Sequence, residues 1–263
     1  MTMAGLNIRD IMIYPDKIES FEQMYLFSLR YAWRALRQIF IFIVIFIVLK
    51  SIYTHLPPTP APLGMILSLV IILIAIFLFV MSLYRVDGML RETPVSILQA
   101  GWRTLKSILK IYLACLLVFC GFVLIFVIGR WLIFSVLGLS PTAGGLIAML
   151  IVGIPMILLL IYCYLTIPLL ALYEPSIVRA FYRSLTCAQK QFLSVVILYM
   201  EIVIILVVSS THTHHAQWLL HHHLMELCDL VIFSLILPVM INQTLLLLHN
   251  ARISIPSPSQ GEG

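Results

Sequence analysis

Between Arg130 and Glu174 the chain runs for 43 residues, Trp131–Tyr173, without one charged side chain. A helix crosses the hydrocarbon core of a bilayer in about 20 residues. The run is therefore too long for one crossing and long enough for two. It contains Ser140-Pro141-Thr142-Ala143-Gly144-Gly145, a turn signal that divides it between two spans. No soluble fold accommodates such a stretch. Of 263 residues, 62% are hydrophobic and 10% charged, against about 25% charged in an ordinary soluble domain. That leaves too little polar surface to cover the apolar volume, so lipid must solvate the chain. Disorder, a disulfide scaffold and a nucleic-acid module are excluded with solubility. The five cysteines (Cys115, Cys120, Cys163, Cys187, Cys228) show no CxxC spacing and read as neither a disulfide framework nor a cluster ligand set.

The same reasoning predicts an all-α polytopic membrane helix bundle with six transmembrane helices: Leu36–Tyr53, Leu63–Leu83, Leu109–Val136, Leu146–Leu170, Phe192–Ser209 and Leu230–His249. Lys50 is expected to snorkel at the end of the first. Pro155 and Pro168 should kink the fourth or mark its end. Residues 1–23 read as a cytoplasmic N-terminal segment, 24–252 as the membrane domain and 253–263 as a disordered cytoplasmic tail. Residues 1–38 carry nine charges and no short apolar region ending in small residues, so the first span is expected to act as its own targeting signal.

The net charge of +5 matters less than its arrangement. Fourteen of the sixteen Lys and Arg residues fall in the N-terminal segment, in the segments after spans two and four, or in the C-terminal segment, and only Lys50 and Arg130 fall on the other side. By the positive-inside rule both termini are expected in the cytoplasm, with an even number of spans.

The basic segments share a pattern. Apolar residues recur every three or four positions, the spacing of one helical face: Leu26, Leu29, Trp33, Leu36, Phe40; then Leu98, Trp102, Leu105, Leu109, Tyr112; then Val178, Phe181, Leu185, Ala188, Phe192. Ser96–Leu105 aligns on Ser176–Leu185, and Ala32–Arg37 aligns on Gly101–Lys106, which puts Arg34, Arg103 and Arg183 in one column. The chain thus reads as three pseudo-repeats, about 24–84, 94–172 and 175–250, each an amphipathic interfacial helix followed by a transmembrane hairpin. Such a helix lies in the membrane surface with its cations on anionic headgroups. Arg34, Arg103, Lys106 and Arg183 are the expected contacts to anionic lipid or to an acidic partner. The bland alternative is that these helices only anchor the bundle.

Two further groups invite chemistry. Glu201 stands inside span five, where a carboxylate costs roughly 2.5–3.5 kcal/mol. Asn242 and Gln243 in span six, or Tyr162 and Tyr164 in span four, are its expected partners. The group reads either as an interhelical hydrogen bond that fixes packing or as a position on a proton or solute path. Six of the eight histidines cluster at 212–223. On a helix, His222, Glu226 and Asp229 share a face, beside His221, Met225 and Cys228. His221, His222, His223 and Glu226 suit Zn or Cu by ligand type, although no HExxH spacing is present. The simplest reading of the cluster is an interfacial turn anchored by Trp218, and a pH sensor is a further alternative. No resident cofactor is otherwise expected. No GxSxG, P-loop or GxGxxG occurs, so the chain is read as no enzyme.

Val152-Gly153-Ile154-Pro155 through Leu169-Leu170-Ala171-Leu172, then Glu174-Pro175, Ala180-Phe181-Tyr182-Arg183-Ser184-Leu185 and Gln189-Lys190-Gln191-Phe192, resemble the YciC-type bacterial inner-membrane proteins. The resemblance covers about residues 20–250. It rests on a Pro-containing span, an acidic residue at its exit and an amphipathic helix before the next span. It implies a six-span inner-membrane protein of poorly defined role, with no catalytic residues to carry over. The Pro57–Pro62 link and the His-rich turn depart from the family pattern. The expected function is that of a scaffold or envelope-maintenance factor acting through lipids or a protein partner in the membrane, with no nucleic acid. The alternatives are a small-solute transporter or channel using Glu201, and an outer-face metal or pH sensor.

Overall fold

The structure, a computed structural model, describes residues 20–55, 61–136, 149–174, 176–201, 203 and 219–254. Every regular element among them is helical: α1 (Phe21–His55), α2 (Ala61–Leu90), α3 (Ile97–Trp131), α4 (Ile154–Cys163), α5 (Thr166–Leu172), α6 (Ile177–Lys190), α7 (Phe192–Glu201) and α8 (Leu219–Ser254), with π-helical turns at Leu132–Val136 and Met149–Gly153. The fold is an all-α membrane helix bundle. Five segments are long and apolar enough to cross a bilayer: Glu22–Ile52, Leu63–Leu90, Ile97–Trp131, Ile151–Leu172 and Cys228–Asn250. α7 is the described part of the predicted fifth span. The Ser140–Gly145 turn and residues 255–263 lie outside the described residues, whereas Ile253 and Ser254, expected in the disordered tail, are the last residues of α8.

Local sequence explains where the helices start and stop. The Ser20 hydroxyl accepts the Gln23 N–H at 3.2 Å to open α1. A reciprocal capping box opens α3: the Gln99 N–H donates to the Ser96 hydroxyl at 3.2 Å, and the Ser96 N–H donates to the Gln99 side chain at 3.1 Å. α2 closes with a paired turn, in which the Thr93 N–H bonds the Gly88 carbonyl at 2.8 Å and the Glu92 N–H bonds that of Met89 at 3.1 Å.

One expectation changes here, and another, the interruption of the fourth span, takes a definite form. The first two basic segments are not separate interfacial helices. α1 and α3 each run 35 residues without a break from the basic segment into the span, because neither Pro nor a turn cluster interrupts them. At 1.5 Å per residue each is about 50 Å long, so its basic end projects beyond a core of about 30 Å. Only the third segment forms a separate helix, α6, which ends where Gln191 leaves helical geometry. The fourth span, in turn, is broken. Pro155 sits in the first turn of α4, as a helix start tolerates. Pro168, which cannot donate to the Tyr164 carbonyl, forces the break at Tyr164-Leu165 before α5.

The chain divides into two compact units, Met1–Lys106 with Ile197–Gly263, and Ser107–Val196. In the first, α1 packs most extensively on α8, and α2 touches both. Asn242 meets Ser28, Phe233 meets Phe46 at 5.5 Å between ring centroids, and Asp229 meets Lys50. Rising numbers on α1 thus pair with falling numbers on α8. The two helices are antiparallel, and the start of α1 lies at the same end as the finish of α8. In the second unit α6 packs on both halves of the broken span, α4 and α5.

The amphipathic segments bury their small residues and leave much of the apolar stripe facing out of the protein, as a face turned to lipid requires. At the aligned positions Ala35, Thr104 and Ser184, the small side chains are fully buried, 0% exposed. At the positions Trp33, Trp102 and Tyr182, the aromatic rings stand 63%, 61% and 69% exposed. Leu26, Leu98, Leu109 and Val178 are exposed as well. In lipid there is no drive to hide leucine from solvent, so small residues that let backbones approach take the helix contacts and large apolar ones face outward.

Candidate functional site

The first group of predicted site residues lies on the basic ends of the helices. Arg34, Arg103 and Lys106 are exposed. Arg34 lies 5.5 Å from the ring of Tyr31, Arg37 5.5 Å from that of Trp33, and Lys106 5.4 Å from that of Trp102. Cation and aromatic together form an edge with an apolar body and a charged tip, the composition of a membrane–water boundary.

Arg183 differs from its aligned partners. It forms an ion pair with Glu174, whose side chain is 5% exposed. The Glu174 backbone N–H bonds the Leu169 carbonyl at 2.8 Å, which holds it at the exit of α5. Next to Arg183, the Ser184 hydroxyl donates to the Tyr162 carbonyl at 2.5 Å. That carbonyl belongs to the last turn of α4, where helix acceptors lack partners of their own. The acidic residue and the Arg-Ser pair singled out in the sequence therefore act together in this unit. They clamp the broken span onto α6.

The intramembrane polar residues divide between two neighbours. Gln243, fully buried, donates to Glu201 at 3.3 Å. Asn242 does not join them but donates to the Ser28 carbonyl on α1 at 3.1 Å. Glu201 Oε2, Gln243 Oε1 and Asn242 Oδ1 are buried without a hydrogen-bond partner among the described residues. Buried acceptors of this kind are uncommon and each is costly. Several hydroxyls, including Ser28, Ser82 and Thr244, bond the carbonyl four residues earlier on their own helices.

Lys50, expected to snorkel outward, instead donates to Asp229 on α8 at 2.6 Å. The reason is proximity: the antiparallel register places the carboxylate at the same depth. Asp229 is thereby engaged by a cation of α1. The backbone of His221, His222, His223 and Glu226 belongs to α8, and their side chains lie outside the described residues. Among the described residues no group of three or more His, Cys, Asp and Glu is placed to hold a metal.

One site was missed in the sequence. Gln38, Arg85, Gly88, Met89, Glu92 and Pro94 line a cavity of about 170 Å³. Arg85 donates to the Gln38 side-chain carbonyl at 2.6 Å, and its Nε has no partner among the described residues. Glu92 has φ 54°, the left-handed position that usually takes glycine at a helix end and that costs a larger residue roughly 1–2 kcal/mol. The signal was the stop Gly88-Met89-Leu90-Arg91-Glu92-Thr93-Pro94, in which Glu stands where Gly is usual. In the sequence Arg85 reads only as one more cation on the basic side.

Searches against protein-family models, curated proteins and solved structures find no match to this chain.

Proposed function

We propose that the protein is a non-enzymatic, six-span protein of the bacterial inner membrane. It works as a scaffold or envelope-maintenance factor through contacts with lipid headgroups and with a protein partner in the membrane. The observation that carries this reading is the exposed aromatic and basic edge on the helices bearing Trp33, Trp102 and Tyr182, beside small residues that are fully buried. The antiparallel pairing of α1 and α8 supports an even number of crossings, with α7 beginning the fifth of six. The arrangement of Lys and Arg supports cytoplasmic termini, and the resemblance to YciC-type proteins points to the same membrane. Little of the apolar windows of α2 and α3 is buried, 6% and 11%, which leaves a wide surface for lipid or a partner.

The test is depth-resolved quenching in vesicles. Single-Trp variants retaining Trp33 or Trp102 should be quenched most by bromines near the headgroups. Quenching strongest at the bilayer centre, or absent, contradicts the reading.

A second reading, a small-solute or proton path through Glu201, is favoured by Glu201 Oε2 being buried without a partner among the described residues. It predicts a flux in proteoliposomes that Glu201→Gln abolishes, and an unchanged flux removes Glu201 from any path.

A further inference from the structure

We infer that the cavity at the end of α2 binds a phosphoethanolamine group, with Arg85 taking the phosphate and Glu92 the ammonium. The inference rests on the lipid-contact reading and names a ligand and a site for it.

The cavity holds a cation that the protein leaves half satisfied. A guanidinium has five N–H donors in a planar fork suited to phosphate. One amine of Arg85 meets Gln38, a neutral amide oxygen, at 2.6 Å, and Nε has no partner among the described residues. The acid two residues on does not serve Arg85, because positions i and i+2 face different sides of a helix and Asp87 pairs with Arg91 at 2.9 Å. Nε is itself shielded from the cavity, so an oxyanion there meets the terminal amine that Gln38 does not engage, through charge-assisted hydrogen bonds.

The opposite charge in the cavity wall is held by strained backbone. Glu92 keeps φ 54° because the turn around it is over-determined. The Thr93 and Glu92 N–H groups are bonded back to Gly88 and Met89. Gly88 is also tight, since a Cβ there would lie 2.6 Å from Val95 and 2.7 Å from the Thr93 carbonyl. The segment 93–95 is thus pressed onto α2, and no side chain at 88 intrudes on the cavity. A residue held in an unfavourable conformation beside a binding cavity points to a role for its side chain. Glycine would close this turn more easily, and glycine has no carboxylate.

Size and position select the ligand. About 170 Å³ is below the roughly 300–1,000 Å³ of pockets for drug-sized molecules and suits a small polar group. Arg85 lies five residues, about 7–8 Å along the helix, before the end of the 28-residue apolar segment Leu63–Leu90. That segment is longer than a core of about 30 Å, so a centred span brings Arg85 to the boundary between core and headgroups. One cation and one carboxylate in a small cavity complement a zwitterion. A purely anionic headgroup leaves Glu92 unmatched. A trimethylammonium donates no hydrogen bond to it, whereas a primary ammonium donates three. The group could be carried by a lipid or be free phosphoethanolamine, and the depth of the cavity favours the lipid.

The test uses the full chain in nanodiscs holding equal phosphatidylethanolamine, phosphatidylcholine and phosphatidylglycerol, with retained lipid measured by mass spectrometry. The wild type should retain the ethanolamine lipid over the choline lipid by about tenfold, the scale of one charge-assisted hydrogen bond. Arg85→Gln should abolish retention of both. Glu92→Gly should raise the Tm by relieving the backbone while abolishing the preference between the two lipids. A purely structural Glu92 would not lose selectivity as stability rises. A preference that survives Glu92→Gly, or a wild type that shows none, overturns the inference. If phosphatidylglycerol retention persists in that case, the broader lipid-contact reading stands; if the wild type retains no lipid, both fall. In detergent without lipid, a Tm rise from soluble phosphoethanolamine that Glu92→Gly removes assigns the site to the free group as well. An equal rise from inorganic phosphate overturns the role of Glu92.

Discussion

Lys50 on α1 donates to the carboxylate of Asp229 on α8 at 2.6 Å, and the Asp229 side chain is only 8% exposed. The pair joins residues 179 positions apart and sets the depth at which two antiparallel helices meet. Removing one member leaves the other buried and uncompensated, a change that typically costs about 3–5 kcal/mol. Lys50→Ala and Asp229→Ala should each lower the Tm in detergent markedly. Lys50→Met with Asp229→Leu should cost less than either, because no orphaned charge remains. A double variant as unstable as the sum of the singles contradicts this account of the register.

The aligned arginines should behave unequally. Arg183 neutralises the buried carboxylate of Glu174, so Arg183→Ala should destabilise the protein by about 3–5 kcal/mol, with Glu174→Gln partly rescuing it. Arg34 is exposed, and Arg34→Ala should leave the Tm unchanged. Equal effects in thermal unfolding would show that the ion pair is unimportant to the fold.

Cys187 lies outside the spans in α6, and burial pushes its thiol up from 9.0 to about 11, with Lys190 partly opposing the shift. The thiolate is the reactive form, so maleimide labelling of the folded protein should be slow at pH 8 and accelerate towards pH 11. The unfolded chain loses its proton first. The stability held in the neutral thiol is therefore complete below about pH 9 and lost as pH rises through about 11. Cys187→Ala should flatten the alkaline fall of Tm, and an unaltered fall would assign it to other groups.

Glu201 is held by Gln243 at 3.3 Å, and an amide at position 201 preserves the acceptor. Glu201→Gln should therefore change stability little. Gln243→Leu should cost about 0.6–1.7 kcal/mol, the range for such contacts in membranes. A severe loss from Glu201→Gln in unfolding assays would mean that the carboxylate is required for packing.

What the sequence revealed depended on whether the relevant signal was local. Span-length apolar runs are local, and five of the six expected spans stand as helices long enough to cross a bilayer. The prolines at 155 and 168 are local too. The expected kink in the fourth span is found as a break before Pro168, while Pro155 sits at a helix start. The apolar periodicity of Leu26, Trp33 and Trp102 was also visible, but periodicity does not say what covers a face. In water that stripe would be core. Here it is exposed, and Ala35, Thr104 and Ser184 are buried in its place. The continuity of α1 and α3 was legible in the absence of breakers, although the change from amphipathic to uniformly apolar sequence suggested a boundary. Asn242 and Gln243 were recognised as polar, but their division between Ser28 and Glu201 depends on the rotation of α8. The pairing of Gln38 with Arg85 and the left-handed Glu92 arise from tertiary contact, which one sequence does not display.

The most direct test of the central claim is the amount of phosphatidylglycerol that co-purifies with the full chain carrying Arg34→Ala, Arg103→Ala and Lys106→Ala together. Each basic residue at an anionic surface contributes about 1 kcal/mol, and Arg183 is left intact because it serves Glu174. Retention should fall by roughly a hundredfold in native mass spectrometry with the Tm preserved. Undiminished retention at an unchanged Tm would contradict the claim that these helices contact anionic lipid.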